Sequence, residues 1–231
     1  MPTPRDLLKQ ALDTQESGDF LKALQLENEA LIEFQKAGDY LGMAEVTVLH
    51  SKTFKHLFQA TNDKNFLILA RSEARAAVEI CEKSGIPNDS AIPYFVLAQM
   101  HEALEELPQA LDAYKKCLTI QPHAPETSHN RQSVKADIEG HYALCSYKAG
   151  QTNAIDIALQ ALDELEKSKD ATTHERNTWL SGAHMRIALM YKDVDVQKSQ
   201  QHLSQAEDII NTDPELILRK RQLEKLRNEF S

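Results

Sequence analysis

Glycine is scarce in this chain, at 7 of 231 residues, and aromatic side chains make up only 6%. Such a composition argues against β-sandwiches and barrels, which need frequent turn residues and bulky side chains on pleated faces. No run of β-branched residues alternates with polar ones, so strands are not expected. No apolar run approaches the ~18 residues of a membrane span. The polar start from Met1 to Asp6 leads into no signal-peptide core, so neither membrane insertion nor a targeting segment is expected. Basic residues are outnumbered: 26 Lys and Arg against 35 Asp and Glu leave a net charge of -9, which argues against nucleic acid as a partner. The three cysteines, Cys81, Cys117 and Cys145, are too few for a disulfide framework and too widely spaced for a metal knuckle. Their odd number fits a reducing compartment, and a cytoplasmic location is expected.

Signatures of catalysis are also missing. His101-Glu102 begins like a zinc motif, but Glu105 stands where the second histidine of H-E-x-x-H belongs. His123 and His129 flank Pro125 and could chelate a metal with His141, yet the segment reads more simply as an exposed loop between helices. Glu102, Glu105 and Glu106 form a solvated face rather than an acid–base pair in a pocket. Gly-x-Ser-x-Gly, phosphate-cradling glycine loops and Cys/His nucleophile patterns are absent. Trp179, the only tryptophan, reads as an anchor between helices. The expectation is a protein that is not an enzyme and carries no cofactor or metal.

What the chain does have is a rhythm of small residues. Ala23 and Ala30, Ala70 and Ala77, Ala110 and Cys117, Ala154 and Ala161, and Ser199 and Ala206 each lie seven apart, about two helical turns. Each pair marks one helix face that a neighbouring helix can approach closely. Four pairs have another small residue upstream, Ala11, Ala98, Ala143 or Ala188, with a turn such as Gly18-Asp19 or Gly150 between. A small residue, a turn and two more small residues describe a helix–turn–helix hairpin, and five copies describe a solenoid.

The third copy carries a family likeness. Tyr94, Leu97, Ala98, Ala110, Tyr114, Cys117 and Pro122 fall at spacings that resemble the tetratricopeptide repeat (TPR), with His101 in place of an aromatic and Cys117 in place of Ala. Leu7, Ala11, Gly18, Asp19, Phe20, Ala23, Ala30 and Leu31 match more loosely in the first copy. The steps from Ala23 to Ala70, Ala110, Ala154 and Ser199 are 47, 40, 44 and 45 residues, longer than the ~34 of the standard repeat. The run from Gly38 to Ala44, leading to Ser51 and Phe54, is similar to a longer, roughly 40-residue subtype. That subtype occurs in kinesin light chains, G-protein signalling modulators and bacterial regulators that bind signalling peptides.

Helix punctuation agrees. Thr3 can cap a helix with Pro4 in its first turn and Asp6 at the positive end of its dipole, and Asp213-Pro214 can do the same for the last helix. Asp89 or Ser90 opens the helix carrying Pro93, and Ser84-Gly85 stops the one before it. The expected fold is all-α, at least roughly three-quarters helical against a base rate of ~30–35%. It is an α-solenoid of about five hairpins, over residues 4–37, 39–84, 90–122, 128–168 and 172–211. A capping helix over 214–230 places Leu216, Leu223 and Leu226 on one side and Arg219, Lys220, Arg221, Lys225 and Arg227 around the rest.

The resemblance implies a scaffold or adaptor that holds a peptide or a partner's helix in a groove lined by the first helix of each hairpin. A peptide- or ligand-sensing regulator that changes conformation on binding is the alternative. On these registers the groove residues are Val48, Lys52, Lys55, Phe95, Gln99, Glu102, His141, Leu144, Lys148, Met185 and Leu189. An aromatic, several aliphatics and three lysines suit an amphipathic, partly acidic ligand. TPR domains that hold chaperone tails clamp the terminal carboxylate with Lys, Asn and Arg. The matching positions here are Leu8, Leu12, Ile92 and Val96, with Lys52 standing alone. A free EEVD-type tail should therefore show no measurable binding in calorimetry, and micromolar affinity would overturn the assignment of these positions.

Overall fold

The computed structural model describes residues 2–125, 130–228 and 230. Of these, 83% are helical, in eleven α-helices and two short 3-10 helices, with no strand among them. The chain divides into two compact units, residues 1–125 and 126–231. The first holds α1 (Pro4–Ser17), α2 (Phe20–Ala37), α3 (Tyr40–Thr61), α4 (Asn65–Lys83), α5 (Ala91–Ala103) and α6 (Leu107–Ile120), paired as three antiparallel hairpins. The second holds α7 (Gln132–Lys148), α8 (Ala154–Lys167), α9 (Thr173–Tyr191) and α10 (Val196–Asn211) as two hairpins, followed by α11 (Ile217–Asn228). Within the first unit α3 lies against α5, and within the second α7 lies against α9 and α9 against α11, so the first helices of successive hairpins are neighbours.

The helices start where short polar side chains can satisfy the free N–H groups of a first turn. Thr3 and Asp6 form a reciprocal capping box at α1, at 3.2 and 2.9 Å, and Thr172 and Glu175 form another at α9. Asp19, Asp39 and Asp195 cap α2, α3 and α10 by accepting from backbone N–H groups. Pro87–Ser90 forms a single tight 3-10 turn that feeds directly into α5. The last helix begins later than its sequence suggests. Asp213 Oδ1 accepts from Glu215 N and Asp213 O from Leu216 N, so residues 213–216 are spent in a turn and α11 opens at Ile217. Residues 126–129, which include His129 and the expected start of the fourth hairpin, and Glu229, within the expected capping helix, lie outside the described residues.

Small residues make the close helix crossings. Ala11, Ala23, Ala30, Ala70, Ala77, Ala98, Ala110, Cys117, Ala143, Ala154, Ala161, Ala188, Ser199 and Ala206 are all buried, none more than 2% exposed. Ser51, the small residue of the second hairpin's first helix, is also fully buried. Around them pack larger side chains: Leu7, Leu26, Phe34, Val46 and Leu49 in the first unit, and Leu162, Leu165, Leu180, Ile187 and Met190 in the second. Gly42 extends the same device. A Cβ there would lie 2.3 Å from the Phe34 ring, so α2 can press its aromatic against α3 only because position 42 has no side chain. The three cysteines are buried and form no disulfide. Burial pushes the Cys81 thiol up to about 11 and the Cys117 thiol to about 12, so both stay protonated packing groups.

One polar cluster interrupts the first unit's core. Glu27 of α2 is completely buried. Its Oε1 accepts from Thr53 Oγ1 of α3 at 2.7 Å, and Thr53 accepts in turn from Gln15 Nε2 of α1 at 2.6 Å. His50 Nε2 lies 3.8 Å from Glu27 Oε2, and His50 Nδ1 lies 3.5 Å from Glu73 Oε2 of α4. Burial raises the Glu27 carboxyl above its usual range. Four helices thus contribute to one enclosed network.

Ala110 tests the packing directly. Ala110→Leu would add three carbons where α6 has no room and should cost ~1–3 kcal/mol, read as a lower midpoint in denaturant unfolding. An unchanged midpoint would mean that the small-residue seam is not a tight crossing.

Candidate interaction surface

The positions expected to line a groove separate into two groups once placed. Val48, Leu144 and Met185 are core residues, 6–7% exposed, and this corrects their assignment as partner-contacting positions. The physical reason is that their helices turn them inward: Leu203 and Ile210, which cluster with Met185, lie on α10 of the same hairpin, and Leu162, which clusters with Leu144, lies on α8 of the same hairpin. Met185 packs with Leu203, Ile210 and Leu223, and Leu144 with Leu162 and Leu180. Leu189 is half-buried and lines the edge of both of the second unit's apolar clusters.

The other group remains at the surface. In the first unit Lys52 and Lys55 on α3, and Phe95, Gln99 and Glu102 on α5, are all half-buried. Lys52 and Lys55 are three residues apart on α3, and Phe95, Gln99 and Glu102 fall at 0, 4 and 7 on α5, so each set shares a helix face. The Phe95 ring sits 6.2 Å from the Tyr114 ring at a 52° tilt, which fixes one side of it. Tyr114 Oη donates to Glu102 Oε2 at 3.0 Å and holds that carboxylate in place. At the end of α5, His101 and Arg71 both pair with Glu106, and His101 does most to hold the Glu106 carboxyl below its usual range. The region is therefore built from ordered polar groups around one aromatic edge.

In the second unit His141 is half-buried and Lys148 is exposed. His141 belongs to a cluster that its sequence position does not reveal. Arg186 of α9, 7% exposed, donates from Nη2 to Asp137 Oδ1 at 2.6 Å and from Nη1 to His141 Nε2 at 2.7 Å. A guanidinium only donates, so His141 Nε2 accepts and its ring proton resides on Nδ1. Two glycines clear the space for this. A Cβ on Gly140 would meet Arg186 Nη2 at 3.2 Å, and one on Gly182 would meet Arg219 of α11 at 3.2 Å and Arg186 Nη1 at 3.4 Å. The visible signal was two mid-helix glycines in a glycine-poor chain, each beside a helix that supplies an arginine.

Two further polar clusters lie near the start of α9. Arg131 pairs with both oxygens of Glu175 at 2.7 and 3.3 Å and lies 5.4 Å over the ring of Trp179, which is half-buried against the core. That pairing does most to pull the Glu175 carboxyl down to about 2. The tryptophan is thus an anchor between α7 and α9. His174, Asp213 and Glu215 place donor atoms within 4.8 Å of one another, a set chemically suited to a divalent cation. Asp213 Oδ2 already accepts from His174 Nδ1 at 3.0 Å and from Asn177 Nδ2 at 3.4 Å, and 81% of the Glu215 side chain is exposed. Hydrogen bonding accounts for the arrangement.

The architecture is that of TPR-like repeat proteins. The chain superposes on BtubC (BKLC) from P. vanneervenii with a TM-score of 0.65 at 19% identity, over 90% of this chain and 80% of that one. It also matches the nearly identical kinesin light chain-like TPR-like repeats of a Podosopora anserina protein, with a TM-score of 0.60 at 15% identity, over 92% of this chain and 98% of that one. No protein-family model matches the sequence, and no curated protein matches it. At these identities the likeness establishes the fold.

The Arg186–Asp137 pair should behave as an enclosed ion pair. Arg186→Ala leaves the Asp137 carboxylate stranded between α7 and α9 and is expected to cost ~3–5 kcal/mol. Chemical denaturation followed by circular dichroism measures this, and a loss under ~1 kcal/mol would place the pair in solvent.

Proposed function

We propose that this protein is a non-catalytic interaction module that holds a peptide or helix of a partner protein against the α3–α5 face of its first unit. The carrying observation is that face itself: Lys52 and Lys55 on one helix, and Phe95, Gln99 and Glu102 on its neighbour, all half-buried. An aromatic edge on α5 and lysines on the neighbouring α3 suit an amphipathic segment with acidic residues, its apolar side on Phe95 and its carboxylates on Lys52 and Lys55. In the second unit His141 and Lys148 offer the same chemistry on α7. The TPR-like fold supports the reading, because stacked hairpins supply long helix faces on a rigid frame. Three buried cysteines that form no disulfide are compatible with a cytoplasmic setting, and no described helix is long and apolar enough to cross a membrane.

Panning a phage-displayed library of helical peptides on the full chain provides ligands for the test. Phe95→Ala should weaken the selected peptides by more than ~1 kcal/mol in calorimetry. Because the ring also rests on Tyr114, a stability loss near the ~0.5–1.5 kcal/mol of one aromatic contact accompanies it. Peptides that bind wild type and Phe95→Ala equally would move the site off this face.

A further inference from the structure

The second unit contains a buried histidine pair whose surroundings oppose its protonation. His184 of α9, 4% exposed, and His202 of α10, half-buried, face each other with their Nδ1 atoms 2.9 Å apart. Two imidazoles can meet this way only if one carries a proton on Nδ1 and the other presents its lone pair. A first added proton leaves an imidazolium donating to a neutral imidazole, a charge buried with little solvation, and a second removes the hydrogen bond and sets two cations side by side. The surroundings offer that charge little relief. The His202 ring stacks on Tyr191 at 6.1 Å and 9°, and Lys198 Nζ lies 5.1 Å over the same tyrosine. Each group acting on the pair is a cation or potential cation: His202 on His184, and Lys198 on His202. The charged groups described at the neighbouring helices are engaged elsewhere: Asp137 and His141 of α7 at Arg186, Arg219 of α11 beside Gly182, Arg227 of α11 with Glu207 of α10, and Arg176 of α9 with the Glu166 carbonyl of α8, which otherwise meets α9 through apolar side chains.

We propose that the His184–His202 contact is a proton-operated latch, closed at neutral pH, whose protonation in mild acid releases α10 from α9 while the first unit stays shut. Burial, and then His202, hold the His184 imidazolium down to about 4, and burial also lowers His202. The sign follows from linkage. A histidine whose folded pKa is depressed binds its proton more readily when its surroundings open, so the stability it contributes is present above pH ~6.5 and drains away as the pH falls toward 4. The buried network of the first unit has the opposite polarity. Glu27, faced by Gln15 from α1, His50 and Thr53 from α3 and Glu73 from α4, has its carboxyl raised by burial, so acid does not loosen it. Release of α10 would uncover Leu203, Ala206 and Ile210, which now pack on Met185 and Ala188. The device thereby exposes an apolar surface in one unit only.

Hydrogen exchange followed by mass spectrometry on the full chain, corrected for the intrinsic pH dependence of exchange, reads the latch. Between pH 7 and pH 5 opening of α9–α10 should increase about 20-fold, the value expected for one histidine shifted from 6.5 to about 4, while α1–α4 change less than about threefold. His184→Gln should abolish the increase in α9–α10. Equal responses of both units, or a response that survives His184→Gln, would overturn the proposal. Should that variant fail to fold, a histidine side-chain NMR titration of the wild-type chain decides the question. A His184 midpoint below about 5 supports the latch, and one near 6.5 sinks it.

Discussion

Close approach of helices at methyl-sized side chains is the constraint on which the rest of this molecule depends. An alanine such as Ala23 or Ala110 contributes little apolar area of its own, yet it lets the backbones come near enough for larger neighbours to interlock on both sides. The seam is maintained even where the chemistry changes. Cys117 and Ser199 hold the same places, and the Ser199 hydroxyl solves its burial by donating to the Ala188 carbonyl at 2.8 Å. Gly42 carries the logic one step further, trading a side chain for contact with Phe34. Everything larger, including the faces that remain for a partner, is what these crossings leave uncovered.

That same constraint explains what could be read from the sequence. Small residues seven apart are a local pattern that survives insertions between hairpins, so the helices and their pairing were legible despite a period well beyond the usual one. Capping pairs such as Thr3 with Asp6 were legible for the same reason, since partner and donor sit within one turn. The surface was less so. Whether Val48 or Lys52 faces outward depends on how α3 is turned against the helices around it, which is a tertiary fact with no trace in a spacing of four. Leu144 and Met185 carry the same lesson, for an apolar residue on a first helix is equally at home in a groove and under a neighbour.

Least visible of all were the polar clusters inside the core. Glu27, Asp137 and Arg186 look like ordinary charges of solvated faces, and their partners lie 26 to 49 residues away. Only Gly140 and Gly182 hinted that something needed room. Each cluster joins first helices or consecutive hairpins, the places where an all-apolar seam would tolerate sliding. A guanidinium between Asp137 and His141 tolerates little, because both its donors and their acceptors lose partners if α7 and α9 shift by one residue.

The Gln15–Thr53–Glu27 relay bears on how freely such repeats can be shuffled. Repeat proteins are often treated as strings of interchangeable modules, joined by generic apolar faces. Here the first hairpin brings an acid that is tolerable only because the second hairpin supplies a hydroxyl and an imidazole at matching heights. Moved onto a different neighbour, it would bury a carboxylate with no donor. The hairpins at this end of the chain are therefore keyed to one another, and recombination, in evolution or in design, has to transfer them as a pair.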